Sequence, residues 1–306
     1  MLHEHEVTLR CAVLALGGVG RKTAREALAN CAGIETAEAF EIWALDREWP
    51  KRCDVQSEHL PSIWSEAASM VQKAIDDGIT LHTEDTPTLQ DHPIWQIPDA
   101  PLVLFTRGTY EPGPSVAIIG TRTPTEWTLE KSSGIIEVAA NHVVSIVSGL
   151  ALGCDTLAHC FALEQEQHTT AILGTGLNHA YPKKNASLQD GILESGGMLM
   201  SEYPPETTLN SHQLVERDRL QSGLSDRLLL LESSVSGGSM HTVKAAAKQG
   251  RPIGAILPSE DGLEEAFGGN MVAVQEHGAV PIRGVNDLNT FMSKPVEQSS
   301  NETLWD

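Results

Sequence analysis

From Val116 onward, short apolar runs alternate with longer stretches whose apolar residues recur at helical spacing. The apolar runs are rich in β-branched residues and end at Gly, Ser or Pro, as strands do. Strands that recur with helices between them are typical of βαβ units, which build a parallel sheet with helices on both faces. We therefore predict an α/β, doubly wound, mostly parallel sheet. The predicted strands are SVAIIGTR, VVSIVSG, TTAILGTG, MLMSEYP, DRLLLLES and PIGAILP.

Before residue 76 this alternation is absent, and apolar residues follow a helical period instead. The segments that read as helices are TLRCAVLALGGVGRKTAREALANC, TAEAFEIWALDREW and LPSIWSEAASMVQKAIDDG. The last residues, KPVEQSSNETLWD, are polar and poor in apolar residues. We predict a small all-helical domain over 1–75, an extended Rossmann-like domain over 76–290 and a flexible acidic tail over 291–306.

Composition is that of an ordinary soluble globular protein, with 41% hydrophobic and 20% charged residues. No apolar run approaches the roughly 20 residues that span a bilayer, and MLHEHEVTLR lacks the features of a signal peptide. A cytoplasmic protein without a membrane partner is therefore expected. Five cysteines without a CxxC pair fit reduced thiols better than disulfides or a zinc site, so no metal is predicted.

The net charge of −20 argues against strong non-specific affinity for DNA, because an acidic protein repels nucleic acid on average. The charge is uneven, however. Residues 115–258 carry 10 basic and 14 acidic side chains, whereas residues 1–114 carry 9 and 18. An anion-binding groove is best accommodated in this least acidic, glycine-rich part of the chain.

Small and hydroxylated residues follow the predicted strands, at the sheet edge where open parallel sheets bind ligands. Such turns let backbone N–H groups and helix N-termini approach an anion closely, and the guanidinium of Arg122 can bind phosphate with two hydrogen bonds. Tight packing of strand against helix is the alternative explanation for these glycines. The turns are Gly120-Thr121-Arg122, Ser148-Gly149-Leu150, Gly174-Thr175-Gly176, Ser201-Glu202-Tyr203 and the segment from Ser233 to Ser239.

Arg217 and Arg219 lie in the predicted helix VERDRLQSGLSD, which leads into the same edge. They are either two phosphate contacts or part of a solvated charged face, since acidic residues flank them. Glu202 is a candidate functional carboxylate. His159 is expected in the core, and Asp155 as a cap or dipole partner of its helix.

No catalytic motif was found. The chain lacks a P-loop, a GxGxxG fingerprint, HExxH and GxSxG, so neither an enzyme nor a cofactor is predicted.

In the helical front, LALGGVGRKTAREAL places two glycines between helices and follows them with basic residues. This arrangement can aim backbone amides at a DNA phosphate without reading sequence. A helical turn required for packing is the equal alternative. The hairpin supplies a second predicted DNA contact at Gly18, Gly20, Arg21 and Lys22.

Seven stretches together resemble the DNA-processing protein A family (DprA, also called Smf). They follow the family order over about residues 79 to 282, and the helical front is also similar to the family's N-terminal domain. The stretches are PLVLFTRG, VAIIGTR, VVSIVSGLALGCDTLAH, TTAILGTGLNHAYPKKN, SEYP, RDRLQSGLSD and GGSMHTVKAAAKQGRPIGAILP.

The resemblance implies an extended Rossmann-like domain that binds single-stranded DNA, protects incoming DNA and helps to load a RecA-type recombinase during transformation. Homodimers are common in the family. Carried over to this chain, the family's DNA-binding turns fall on Gly120, Thr121 and Arg122, on Ser148 and Gly149, on Arg217 and Arg219, and on Gly237, Gly238, Ser239 and Thr242.

Three departures from the family pattern matter. Asp218 stands where the family has Asn, Leu152 stands where some members carry Lys, and the C-terminal winged-helix-like domain of many members is expected to be absent. A sensor of a free nucleotide, as in the wider superfamily, is the alternative function. A phosphoribohydrolase is disfavoured because SGGSMHT lacks the second Gly-Thr pair of that signature.

Overall fold

The computed structural model describes residues 2–29, 31 and 33–296 and divides into two compact units. The first unit continues past residue 75 to Arg107, and the domain boundaries drawn from sequence stay a prediction. The first unit holds Met1–Arg107, Gly176–Asn178 and Met200–Thr207, and the second holds Gly108–Thr175, His179–Leu199 and the chain from Thr208 onward.

Helices dominate the first unit. Their apolar faces bury a core that includes Phe40, Leu60 and Trp64. A short antiparallel strand pair follows, with Leu81 opposite Phe105. The elements are α1 (Leu2–Ala15), α2 (Arg21–Leu28), α3 (Ala37–Leu45), α4 (Leu60–Asp76), β1 (Thr80–His82) and β2 (Leu104–Gly108).

The α/β alternation predicted from Val116 onward is confirmed. Strands of four or five residues, almost all fully buried, are separated by helices as expected for βαβ units. The division between the two compact units falls within β6. The elements are β3 (Ser115–Ile119), α5 (Glu126–Ala140), β4 (Ser145–Ser148), α6 (Cys154–Glu164), β5 (His168–Ile172), α7 (Ala186–Glu194), β6 (Met198–Ser201), α8 (Ser211–Leu224), β7 (Arg227–Leu230), α9 (Ser239–Lys248) and β8 (Ile253–Ile256).

Beyond β8 lie three elements that the sequence did not predict: α10 (Gly268–Glu276), β9 (Val280–Ile282) and α11 (Val285–Ser293). Phe291 and Met292 are buried in the core of the second unit, so residues 291–293 are folded rather than part of the predicted tail. The tail residues 297–306 lie outside the described residues. Within the described part, no helix is long and apolar enough to cross a membrane.

Strand order in the second unit is β5-β4-β3-β7-β8-β9, with parallel pairing throughout. The chain starts at β3, winds outward to β5, then returns to β7 and winds in the opposite direction. The order thus reverses between β3 and β7, where Ile118 pairs with Leu229. In doubly wound sheets the loops that leave such a switch point diverge and open a crevice for ligands.

Candidate nucleic-acid interface

A cavity of about 360 Å³ opens beyond the carboxyl ends of β3 and β7, and we call it the switch-point cavity. Its walls come from the β3–α5 turn, from α8 and from the start of α9, all within the second unit. Eight of the eleven residues predicted for the principal DNA-binding surface line it: Gly120, Thr121, Arg122, Arg217, Gly237, Gly238, Ser239 and Thr242.

Arg122 is the exposed cation of the cavity wall, and within the described part of the chain it has no ion-pair partner. Its loop is fixed by Glu232, at the end of β7, whose carboxylate accepts hydrogen bonds from the backbone N–H of Thr125 (3.0 Å) and from its hydroxyl (2.8 Å). The carbonyl of Glu232 accepts from Thr121 N (2.7 Å). Sequence reasoning missed Glu232, which holds the Arg122 loop at both ends.

The opposite wall is the N-terminus of α9, a ten-residue helix. Its cap residue Gly238 has no side chain to accept from the helix N–H groups, and those of Met240 and His241 donate to the carbonyls of Gly237 and Gly238. The hydroxyl of Ser239 donates to Ser233 Oγ (2.8 Å), and Thr242 is buried beneath them. The positive end of the helix dipole and its first amides thus adjoin a cavity with an exposed guanidinium, which suits an anion such as phosphate.

Arg217 is only 3% exposed and does not have the geometry of the predicted phosphate contact. Its guanidinium Nη1 donates to the carbonyls of Gly149 (2.6 Å) and Ile172, at the ends of β4 and β5. Its Nε lies 3.3 Å from Asp218 Oδ1. The side chain joins two strand ends and balances buried carboxylates, and a phosphate contact at Arg217 stays a prediction.

Three other predicted contacts, unlike Arg217, do not line the cavity. Ser148 is fully buried and its hydroxyl donates to Ile118 O (2.6 Å), which ties β4 to β3. A β-carbon at Gly149 would lie 2.2 Å from Arg217 Nη1, so this glycine serves the packing of the arginine. Arg219 is 8% exposed and bonds to the carbonyl of Glu216. These contacts agree with the packing alternative, and DNA binding by these three residues stays a prediction.

Two carboxylates that were not predicted as ligand contacts form part of the cavity lining. Asp155 Oδ2 accepts from the N–H groups of Gly149 (3.1 Å) and Ala151 (3.2 Å), so it caps the turn that precedes its helix rather than the helix itself. Burial raises the pKa of Asp155 and raises that of Asp218 to about 6, although Arg217 opposes both shifts. The cavity is thus lined both by a guanidinium and backbone amides, which favour an anion, and by two carboxylates, which repel one.

His159 is fully buried and donates to or accepts from Thr169 Oγ1 at 2.8 Å, as expected for a core histidine. Burial lowers its pKa to about 3, so it is neutral at physiological pH. Among the described residues, no group of three or more His, Cys, Asp or Glu side chains is arranged to hold a metal ion.

The predicted hairpin of the first unit is closely packed. Gly18 has a φ of +74°, and a β-carbon there would lie 2.2 Å from the carbonyl oxygen of Arg52. Gly17 and Asp54 form an antiparallel bridge beside it. Gly18 therefore has a structural reason to be glycine, whereas Gly20 is exposed with open space around it.

Arg21, predicted as a DNA contact, is engaged within the first unit. Its guanidinium donates to both oxygens of Asp99 (3.0 and 2.5 Å) and lies 3.6 Å from Glu202. Glu202, which the sequence indicated as a candidate functional carboxylate, therefore forms a salt bridge with Arg21. Lys22 is 89% exposed and remains the accessible cation of this hairpin.

Comparison with known proteins points to one family. The model of the DNA recombination-mediator protein A family matches residues 79–293. The DNA processing protein DprA of Bacillus subtilis is 30% identical over 204 residues, which cover 65% of this chain and 67% of that protein. DprA of Streptococcus pneumoniae is 38% identical over 174 residues, 56% of this chain and 61% of that protein. The matches thus span about two thirds or less of these relatives.

Solved structures give the same result. The X-ray structure of DprA from S. pneumoniae superposes with a TM-score of 0.70 at 24% identity, covering 92% of this chain and 95% of that one, and supports the fold. A structure of DprA from Helicobacter pylori, described as showing its single-stranded DNA binding mode, gives a TM-score of 0.59 at 27% identity over 70% of this chain and 95% of that one. Because the family model covers well over half of the chain, the protein belongs to the DNA recombination-mediator protein A family.

Proposed function

We propose that this protein is a DNA-processing protein that binds single-stranded DNA, without catalysing a reaction, in the switch-point cavity. The observation that carries the proposal is the convergence of Arg122 and the N-terminus of α9 on one cavity at the reversal of strand order. The relative from H. pylori is described as binding single-stranded DNA, which supports the same class of ligand here.

In this proposal phosphates of the strand contact the Arg122 guanidinium and the first amides of α9. Both groups supply positive charge without reading a base, which suits binding to many sequences. The carboxylates of Asp155 and Asp218 lie in the same cavity and oppose an anion. With a net charge of −20 on the whole chain, affinity is modest and falls steeply with salt.

The family relationship extends the proposal to the cell. We expect the bound strand to be protected and passed to a RecA-type recombinase during natural transformation and homologous recombination. A cytoplasmic homodimer is the expected form. These expectations rest on the family relationship. Binding of purified recombinase to the DNA complex would test the first, and size-exclusion chromatography at several protein concentrations would test the homodimer.

A sensor of a free nucleotide is the second candidate, favoured by the dimensions of the site. About 360 Å³ falls within the usual size range of small-molecule pockets, roughly 300–1,000 Å³. One nucleotide with its phosphate at the α9 N-terminus would occupy such a cavity. A phosphoribohydrolase has less support, because the α9 turn lacks the Gly-Thr pair described above.

Oligonucleotide length separates the two candidates. Titration of the protein with labelled dT strands of 1 to 20 nucleotides should give affinity that increases over several nucleotides, and Arg122→Ala should weaken it. Arg283→Ala removes another exposed arginine, which lies outside the cavity, and serves as the matched control. Affinity that stops increasing after one or two nucleotides would contradict the DNA proposal and favour the sensor.

A further inference from the structure

Asp218 is the one carboxylate of α8 that lines the switch-point cavity. Its side chain is 15% exposed, so it is held in place yet remains accessible from the cavity. Its Oδ1 accepts a hydrogen bond from the side-chain amide of Gln221 at 3.2 Å and lies 3.3 Å from Arg217 Nε in an ion pair. Both lie on the same helix and restrict the rotation of the carboxylate.

When it is ionised, a carboxylate can accept hydrogen bonds but cannot donate them, and its two oxygens offer about four acceptor sites. A phosphate cannot satisfy it, since both groups are anions. A nucleobase can, because bases carry N–H donors on their Watson–Crick edge. Guanine alone among the DNA bases presents two adjacent donors there, N1–H and the N2 amino group, and these match the two oxygens of one carboxylate.

Phosphate-binding groups line the same cavity from other elements: Arg122 from the β3–α5 turn, and Gly238 and Ser239 from the start of α9. A nucleotide whose phosphate rests on these groups would have its base inside a cavity of about 360 Å³ that also contains Asp218. The cavity therefore contains a carboxylate that can accept hydrogen bonds from a base, and a guanidinium and a helix N-terminus that can bind the phosphate of the same nucleotide.

We infer that Asp218 is a specificity-determining residue that accepts hydrogen bonds from the N1–H and N2 amino group of a guanine held in the switch-point cavity. The inference rests on the proposed binding of a nucleic-acid phosphate in this cavity and adds a base preference to it. Gln221 and Arg217 act as positioning residues, because their contacts with Oδ1 orient the carboxylate.

The preference for guanine depends on pH. Charged or titratable groups that line the cavity with Asp218 are Arg122, Asp155, Arg217 and His241. Burial raises the pKa of Asp218 to about 6. Above that pH the carboxylate is ionised and discriminates. Below it the protonated acid loses an acceptor and repels phosphate less, so binding becomes stronger and less selective.

The test measures binding by fluorescence anisotropy at pH 7.5. It compares an 11-nucleotide dT strand with strands of the same length that carry dG, dA, dC or deoxyinosine at the centre. Hypoxanthine keeps N1–H but lacks the N2 amino group, so it removes one donor without any change to the protein. The dG strand should bind at least about fivefold more tightly than the dT strand, the lower end for a two-hydrogen-bond base contact. The deoxyinosine strand should lie between them.

Two variants assign the effect. Asp218→Asn, which replaces one of the two acceptor oxygens by a donor, should reduce the preference for dG, whereas Glu216→Gln, which removes a carboxylate of the same helix outside the cavity, should keep it in full. Free dGMP as competitor separates the sources of guanine: displacement at a concentration similar to that of the dG strand indicates a nucleotide ligand.

Equal affinity of the wild-type protein for strands with dG, dA, dC or dT at the centre would overturn the inference while leaving DNA binding intact. An undiminished dG preference in Asp218→Asn would also overturn it, because another group would then read the base. Absence of binding to every strand and to dGMP would overturn the proposed function as well.

Discussion

Replacement of Arg217 by leucine should destabilise the second unit, because this guanidinium is a structural group. It donates to the carbonyls of Gly149 and Ile172, and hydrogen bonds from a charged donor contribute about 1.5–3 kcal/mol each. Its loss also leaves Asp155 and Asp218 without their buried cation. Removing one partner of a buried ion pair typically costs about 3–5 kcal/mol, which is the expected decrease in the free energy of unfolding.

Thermal unfolding followed by circular dichroism measures this loss. For a unit of this size about 2–4 °C per kcal/mol is usual, so the melting temperature should fall by about 6–20 °C. Arg122→Leu is the matched control, because that side chain is exposed and its loss should change stability by less than about 0.5 kcal/mol. If Arg217→Leu melted within about 2 °C of the wild type and lost DNA affinity, Arg217 would instead be a phosphate ligand.

Three further changes test other parts of the structure. Gly18→Ala should lower the melting temperature because of its positive φ and the adjoining backbone, whereas Gly20→Ala should not; equal melting temperatures would contradict the packing described for the hairpin. The raised pKa of Asp218, about 6, means that the folded chain keeps a proton that the unfolded chain loses near pH 4, so stability falls as pH rises between these values. Asp218→Asn should therefore be more stable than the wild type by about 1–3 kcal/mol at pH 7 and equal to it at pH 4 in urea titrations, and an identical pH profile would refute the shift. Glu232→Ala should weaken binding of single-stranded DNA about as much as Arg122→Ala, since the loop loses its anchor; unchanged affinity would show that the loop holds its position without it.

Local sequence signals were sufficient for most of the fold. The runs around Ile118, Ile146 and Leu229 are apolar, short and bounded by turn residues, so their strands could be predicted without tertiary information. The elements after residue 260 could not. The strand Val280–Ile282 has three residues and contains a proline, and Gly268 and Gly269 open the helix before it. Such segments become regular because they pair with β8 or pack on the core of the second unit, and these long-range contacts leave no periodic pattern in the sequence.

In the candidate site, too, some residues could be predicted from local sequence and others depend on long-range contacts. Arg122 and the Gly238–Ser239 turn follow strands, and their position at the sheet edge could be inferred from that fact alone. From the sequence Arg217 was predicted as a phosphate contact, with a solvated charged face as the alternative because acidic residues adjoin it. Its true partners, the carbonyls at the ends of β4 and β5, lie 68 and 45 residues away. Long-range contacts of this kind determine whether an arginine binds a ligand or the protein itself.

Salt dependence of single-stranded DNA binding tests the central claim most directly. The affinity of wild-type protein and of Arg122→Ala for a labelled dT strand should be measured from 50 to 300 mM NaCl. The wild type should show a log–log slope of a few units, and Arg122→Ala a slope smaller by about 0.7, the loss of one phosphate contact on a single strand. Parallel lines with the same slope for both proteins, or no binding by the wild type at 50 mM NaCl, would contradict a phosphate site at the switch-point cavity.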